Sequence, residues 1–231
     1  MRPRTLIAAG LLLAGLAAAP LHAQHGHLNV GALSQTQDSA LQFVNGADFA
    51  ESSGYVRDLP YSDVGRYAGT FNANITLTAF NSFDTNGTPL PNGPAAGSFI
   101  RAEILSVSGP AGGSFSFWEG GTGTTPFLTL AAGFAGNSTP WDLSDASLGA
   151  GLPDGNAFGH LHGRRFSVDQ PGDYLVTFRA FDASANGTDG GAIHAPTDPL
   201  TIRFQAVPEP SPLGLAALGA GAALLVRRLR R

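Results

Sequence analysis

The sequence predicts an all-β protein, an antiparallel β-sandwich set between two short apolar ends. Three observations predict it. Apolar and polar residues alternate with a period of two in several stretches, the mark of strands with one face in a core. The 31 glycines and 16 prolines are spread along all 231 residues and cut the chain into short segments. Between the ends, helical periodicity is hard to find. Many short strands separated by Gly, Pro, Asn and Asp turns are the pattern of a sandwich.

The elements follow in order. Met1-Arg2-Pro3-Arg4 is basic, Leu6 to Ala19 is apolar, and Pro20-Leu21-His22-Ala23 ends on a small residue. Residues 1–23 read as a secretory signal peptide cut after Ala23. The exported domain is 24–206, long enough at 183 residues for one core. A short helix is expected to begin near Ser39. In 74–80, Ile75, Leu77 and Ala79 share a face. In 98–107, Ile100, Ala102 and Ile104 oppose Arg101 and Glu103. In 173–182, Tyr174, Val176, Phe178 and Ala180 align, and in 200–206 Leu200, Ile202 and Phe204 do. The expected core holds Ile100, Ile104, Phe115, Phe117, Tyr174, Val176, Phe178, Ile202 and Phe204. Residues 86–97 and 143–159 read as long irregular loops.

"PGDYLV" (171–176) puts a turn and then a tyrosine at the start of a long strand. It resembles the tyrosine corner of immunoglobulin-like domains, with Val176 where a cysteine could stand. The resemblance implies an immunoglobulin-like sandwich.

Residues 207–231 read "VPEPSPLGLAALGAGAALLVRRLRR". Prolines at 208, 210 and 212 stop any preceding strand. Leu213 to Val226 is apolar, and Arg227, Arg228, Arg230 and Arg231 close the chain. Fourteen helical residues rise only about 21 Å, so the Pro/Ser residues must help a single transmembrane helix span the bilayer. The arginines would stop it with the basic end in the cytoplasm. Val207, Pro208, Glu209 and Pro210, then an apolar helix, then arginines, resemble the PEP-CTERM sorting signal. That resemblance implies export in a Gram-negative bacterium, an inner-membrane intermediate, and recognition by an exosortase-type membrane peptidase. It implies delivery to the cell surface or an exopolysaccharide matrix.

Composition narrows the chemistry. Cysteine is absent and the one methionine is Met1, so thiolate and thioether ligands are excluded. Residues 24–206 carry seven arginines, no lysine and sixteen acids, a net charge of about −9. That sign disfavours nucleic acid and suits cations or neutral polysaccharide.

The domain keeps five histidines in three places: His25 and His27, His160 and His162, and His194. Residues i and i+2 of a strand point to one face, so each H-x-H pair can offer two imidazoles to one ion. Imidazole suits Zn and Cu, and a zinc site takes about four ligands. These five are the candidate ligands of one divalent transition ion. The stretch "GHLHGRRFSVDQPGDYLVTFRAFD" (159–182) also resembles bacterial surface-anchored β-domains that carry an H-x-H ahead of a Pro-Gly-x-Tyr strand. Some of those accompany zinc or manganese uptake systems.

The chain reads as non-enzymatic. There is no G-x-S-x-G, and nothing in the sequence places Glu103 beside Glu119 for glycoside hydrolysis. "HGH" at 25–27 resembles copper oxygenases, whose leading histidine grips copper with amine and ring. That needs His25 to come first, and Gln24 precedes it. A carbohydrate-binding module is the alternative, with Trp118, Trp141 and Tyr61 as stacking platforms, although Phe115, Phe117 and Trp118 read as core. Arg164 and Arg165 are expected to fork onto the domain's own acids or onto a glycan carboxylate.

Removing Val207–Arg231 is expected to leave residues 24–206 folded and to abolish surface sorting. A 24–206 fragment that aggregates, or whose far-UV circular dichroism is dominated by helix, counts against this boundary and this fold.

Overall fold

The computed structural model describes residues 26–84, 86–120, 123–144 and 164–208. The expected signal peptide, His25, the stretch with His160 and His162, and the tail from Glu209 through Pro210 to the final arginines lie outside the described residues. Among the described residues no helix is long and apolar enough to cross a membrane.

The described chain is mostly β. Its strands are β1 (His27–Ala32), β2 (Leu41–Phe43), β3 (Val56–Leu59), β4 (Tyr61–Ser62), β5 (Thr70–Ala73), β6 (Thr76–Ala79) and β7 (Ile100–Ser108), followed by β8 (Ser114–Trp118), β9 (Leu128–Ala131), β10 (Trp141–Asp142), β11 (Arg165–Val168), β12 (Gly172–Asp182) and β13 (Leu200–Ala206). Among the described residues they form a three-stranded sheet, β2-β1-β6, and two five-stranded sheets, β10-β7-β12-β13-β3 and β4-β5-β11-β8-β9. Short 3-10 turns lie at Gly46–Asp48, Glu51–Ser53 and Gly65–Tyr67.

Most pairs are antiparallel, as alternation and short turns favour. Two are parallel: β1 with β6, and β13 with β3. Alternation along one strand reports which face is buried, not the direction of the neighbour, so these pairs were not foreseen. The expected helix near Ser39 is not formed. Leu33 and Leu41 donate N–H bonds to Ala40 and Ala195 carbonyls instead, at 3.0 and 2.8 Å. Those long-range partners draw residues 40–43 into extended backbone.

All nine residues of the expected core are buried. The two five-stranded sheets pack face to face through aromatic rings. Phe166 of β11 lies 5.5 Å from Phe115 and 5.4 Å from Phe117 on its own sheet, and 5.6 Å from Phe178 and 5.7 Å from Phe204 across the gap. Trp141 stacks on Phe117 at 4.4 Å. One continuous core joins these rings to Leu28, Val30, Ile75 and Leu77 of the three-stranded sheet.

Strand β7 departs from simple alternation. Thr177 of β12 faces Ser106 and Phe178 faces Ile104, so Leu105 is an extra residue, a β-bulge. The bulge shifts the phase, and Ile104 and Val107 both point inward and are buried. On the far edge of β7, serine hydroxyls take the place of a longer strand. Ser144 Oγ accepts the Ile100 N–H at 3.1 Å and Ser138 Oγ accepts the Ile104 N–H at 2.9 Å.

Phe166→Ala is expected to cost about 3–5 kcal/mol, because it opens a hole between both sheets. Urea unfolding monitored by tryptophan fluorescence reads this. A loss under about 1 kcal/mol, the size of a surface change, would remove Phe166 from the centre of the core.

Candidate functional site

Arg164, Arg165 and Phe166 continue directly from the His160–His162 stretch. Phe166 turns into the core, as above. Arg164 is buried, and its Nε and Nη2 donate to the two Glu119 oxygens at 2.8 and 3.0 Å. This bidentate fork matches guanidinium to carboxylate. Its plane lies over the Phe117 ring at 5.8 Å. Arg165 donates to Asn72 Oδ1 at 2.7 Å and covers Tyr67 at 5.1 Å. Of the two arginines, Arg164 pairs with an internal acid and Arg165 with an internal amide.

The histidines divide. His27 opens β1 and faces Thr76 of β6. Its carbonyl accepts Asn45 Nδ2–H at 2.8 Å. Leu28 and Val30 point into the core, so His27 and Asn29 lie on the opposite face of the strand. Three residues before Thr76, Ala73 faces Phe166. The start of β1 and the start of β11 are therefore at the same end of the fold. His25, His160 and His162 lie outside the described residues, next in sequence to those two strand starts.

His194 sits elsewhere. It adjoins Ala195, which bridges to Ala40 beside the Ala32 end of β1. Five residues of strand, roughly 16 Å, separate that end from His27. Both ring nitrogens are engaged: Nδ1 with the Ser39 carbonyl at 2.9 Å, and Nε2, which accepts the Ala95 N–H at 2.8 Å. With Nε2 as acceptor, Nδ1 is the ring nitrogen that donates. The ring is buried, and a metal could reach it only by breaking one of these bonds. Of the five candidate ligands only His27 and His194 are described, and these two are not brought together. Among the described residues no group of three His, Cys, Asp or Glu side chains could hold a metal ion.

Beside His194 lies a polar junction that sequence reasoning missed. Asp182 is buried, and its Oδ1 accepts N–H bonds from Phe99 and Ser184, both at 2.9 Å. Its Oδ2 accepts from Ile193 at 3.0 Å and His194 at 3.3 Å. One carboxylate closes three loop segments, a role no local pattern announces.

The aromatic platforms are largely consumed by packing. Trp141 is 2% exposed and Trp118 is 5% exposed. Trp118 donates to Ser167 Oγ at 2.8 Å and meets Tyr67 edge-on at 5.1 Å. Tyr61, the third, is 44% exposed. Glu103 lies in β7 of one five-stranded sheet, and Glu119 follows β8 of the other. Glu103 is held by Arg179 Nε at 2.9 Å, and Glu119 by Arg164. A groove of about 380 Å³ runs between β2 and the segment before β13, lined by Leu33, Phe43, Ala47, Pro199 and Leu200, with Asp198 as the charged residue among its described walls.

No protein family, curated protein or solved structure matches the chain.

Glu119→Ala is expected to lower stability by about 1–3 kcal/mol, since it leaves the Arg164 guanidinium buried without its carboxylate. Half-exposure of Glu119 keeps the loss below that of a fully buried pair. Replacing Arg164 by Met together with Glu119→Ala should recover part of the loss. Denaturant midpoints of the single and double variants decide it, and a double variant weaker than either single one overturns the pairing argument.

Proposed function

We propose that this chain is an exported, non-enzymatic surface or matrix β-domain that binds one divalent transition ion through His25, His27, His160 and His162. Its delivery rests on the two ends: an N-terminal signal peptide, and a PEP-CTERM-like tail read by an exosortase-type peptidase. The last strand supports that boundary. It ends at Ala206, and Val207 and Pro208 follow as exposed residues outside any strand. An immunoglobulin-like sandwich is the finer reading of the fold. In its support, the Tyr174 hydroxyl at the start of β12 donates to the Gln170 carbonyl four residues upstream, at 3.3 Å. A tyrosine corner makes that bond.

One observation carries the metal reading. His27 at the start of β1 and Arg164 just before β11 lie at the same end of the described domain, and His25, His160 and His162 stand next to them in sequence. Zn and Cu are the ions that imidazole donors suit. The acidity of the domain draws cations to it. The surrounding exopolysaccharide is the matrix in which the domain would work, and nucleic acid is not a partner.

Calorimetric titration of the exported protein with Zn²⁺ and Cu²⁺ is the test. One ion should bind at neutral pH and weaken below about pH 6, because an imidazole of ordinary pKa near 6.5 must be neutral to ligate. Stability should rise by roughly 2.7 kcal/mol at a hundredfold excess over Kd. Changing both His160 and His162 to Ala should abolish binding, while His194→Ala should lower stability and spare it. A flat titration sinks the metal reading. Binding that persists without His160 and His162 sinks the ligand assignment.

A further inference from the structure

Asparagine is followed by glycine at four places: Asn45-Gly46, Asn86-Gly87, Asn92-Gly93 and Asn186-Gly187. With no Cβ on the second residue, its backbone nitrogen can approach the asparagine side chain. That nitrogen attacks Cγ, the N–Cγ bond forms, the Cγ–Nδ2 bond breaks, and Nδ2 leaves as ammonia with the backbone amide proton. Water then opens the cyclic imide and leaves an aspartyl or isoaspartyl residue. Water is the co-reactant, and no cofactor is required. What the step demands is freedom for the side chain to fold back on its own backbone.

The structure removes that freedom at three of the four. Asn45 is clamped across β1: its Oδ1 accepts the Asn29 N–H and its Nδ2 donates to the His27 carbonyl, both at 2.8 Å. Asn92 accepts Gln42 Nε2–H at 3.1 Å through its side chain and the Ala32 N–H at 2.8 Å through its carbonyl. Gly93 is packed against the Asn81 carbonyl too tightly for a Cβ. Asn186 Nδ2 donates to the Gly97 carbonyl at 2.7 Å, and the attacking nitrogen of Gly187 is bonded to Gly191 O at 2.8 Å.

Asn86 differs. Like Asn92 and Asn186 it is exposed, but its side chain meets only Asp84, two residues back in the same turn, and no distant strand or loop among the described residues. The pair sits at the tip of a hairpin closed by Asp84 N–H to Thr88 O at 2.9 Å. The Gly87 N–H makes only a local bond, to Asp84 O at 3.1 Å. Gly87 has φ of 80°, a conformation that suits glycine.

We propose that Asn86 is a site of spontaneous deamidation in the folded protein, and that tertiary hydrogen bonds hold Asn45, Asn92 and Asn186 unreactive. The product puts a new carboxylate beside Asp84. The N–H groups of Thr88 and Asn86 hold the Asp84 carboxyl below its usual range, so both groups are charged at neutral pH. The isoaspartyl form also lengthens the main chain at the tip of the turn.

The full chain is incubated native in mild alkali, digested, and its peptides weighed. Asn86 should react at least about tenfold faster than each of the other three, the factor that about 1.4 kcal/mol represents. In denaturant the four rates should converge. Asn86→Gln should remove the new acidic species from the native protein, and Gln42→Ala should accelerate Asn92. Native rates at Asn45, Asn92 or Asn186 that equal the rate at Asn86 overturn the proposal. So does a tenfold preference that survives denaturation, since local sequence and not the fold would then set it.

Discussion

The contact of Phe166 with Phe115, Phe117, Phe178 and Phe204 is the constraint on which the structure depends. No cysteine is present, so no disulfide ties the two five-stranded sheets together. Burial of aromatic area must do it. The rings meet tilted, stacked and edge-on, arrangements that add to the area they remove from water. Trp141 extends the layer from the opposite sheet edge. The bulge at Leu105 serves the same interface, because it returns Val107 to the inner face after Ile104.

Around this apolar centre, the polar groups are placed where they close gaps. Tyr174 illustrates the coupling of backbone to ring. Its ring occupies the space that a Cβ on Gly109 would need, and its hydroxyl the space at Gly113, at 2.5 Å in each case. Burial pushes the phenol pKa up, and the hydroxyl still reaches the Gln170 carbonyl. Asp182 does for the loops what Tyr174 does for the strand start. Four backbone N–H groups, two of them buried, converge on one carboxylate. His194 belongs to that junction, held between Ser39 and Ala95. Its burial and its two bonds describe a structural histidine.

The outer face of β10-β7-β12-β13-β3 is a ladder of paired polar side chains. Arg101 meets Asp142, Arg179 meets Glu103, Thr177 meets Thr201, and Arg203 and Gln205 share Asp173. In an acidic domain with seven arginines, this spacing pairs three of them with carboxylates across neighbouring strands. The more exposed pairs, Arg101–Asp142 and Arg203–Asp173, contribute little each, about 0–1 kcal/mol, whereas Glu103 is buried under Arg179. Their effect is to favour one register over a slip that would set like charges opposite each other.

The sequence by itself determined the strands with long alternation, β7, β12 and β13, and their buried residues, because a period of two is a local property of each segment. It also marked the end of the last strand at Ala206, shortly before the prolines. Phe166 was legible as an apolar residue but not as the centre of the core. The strand that carries it is four residues long and begins with Arg165, so no alternation of useful length exists there. The same holds for Arg164, whose burial depends on Glu119, 45 residues away. Tertiary structure alone decided that His27 and His194 lie apart. Clustering in sequence gave His194 the same standing as His27, and chain folding sent them to opposite ends of β1. Strand partners are chosen by contacts between distant segments, which no short window of sequence contains.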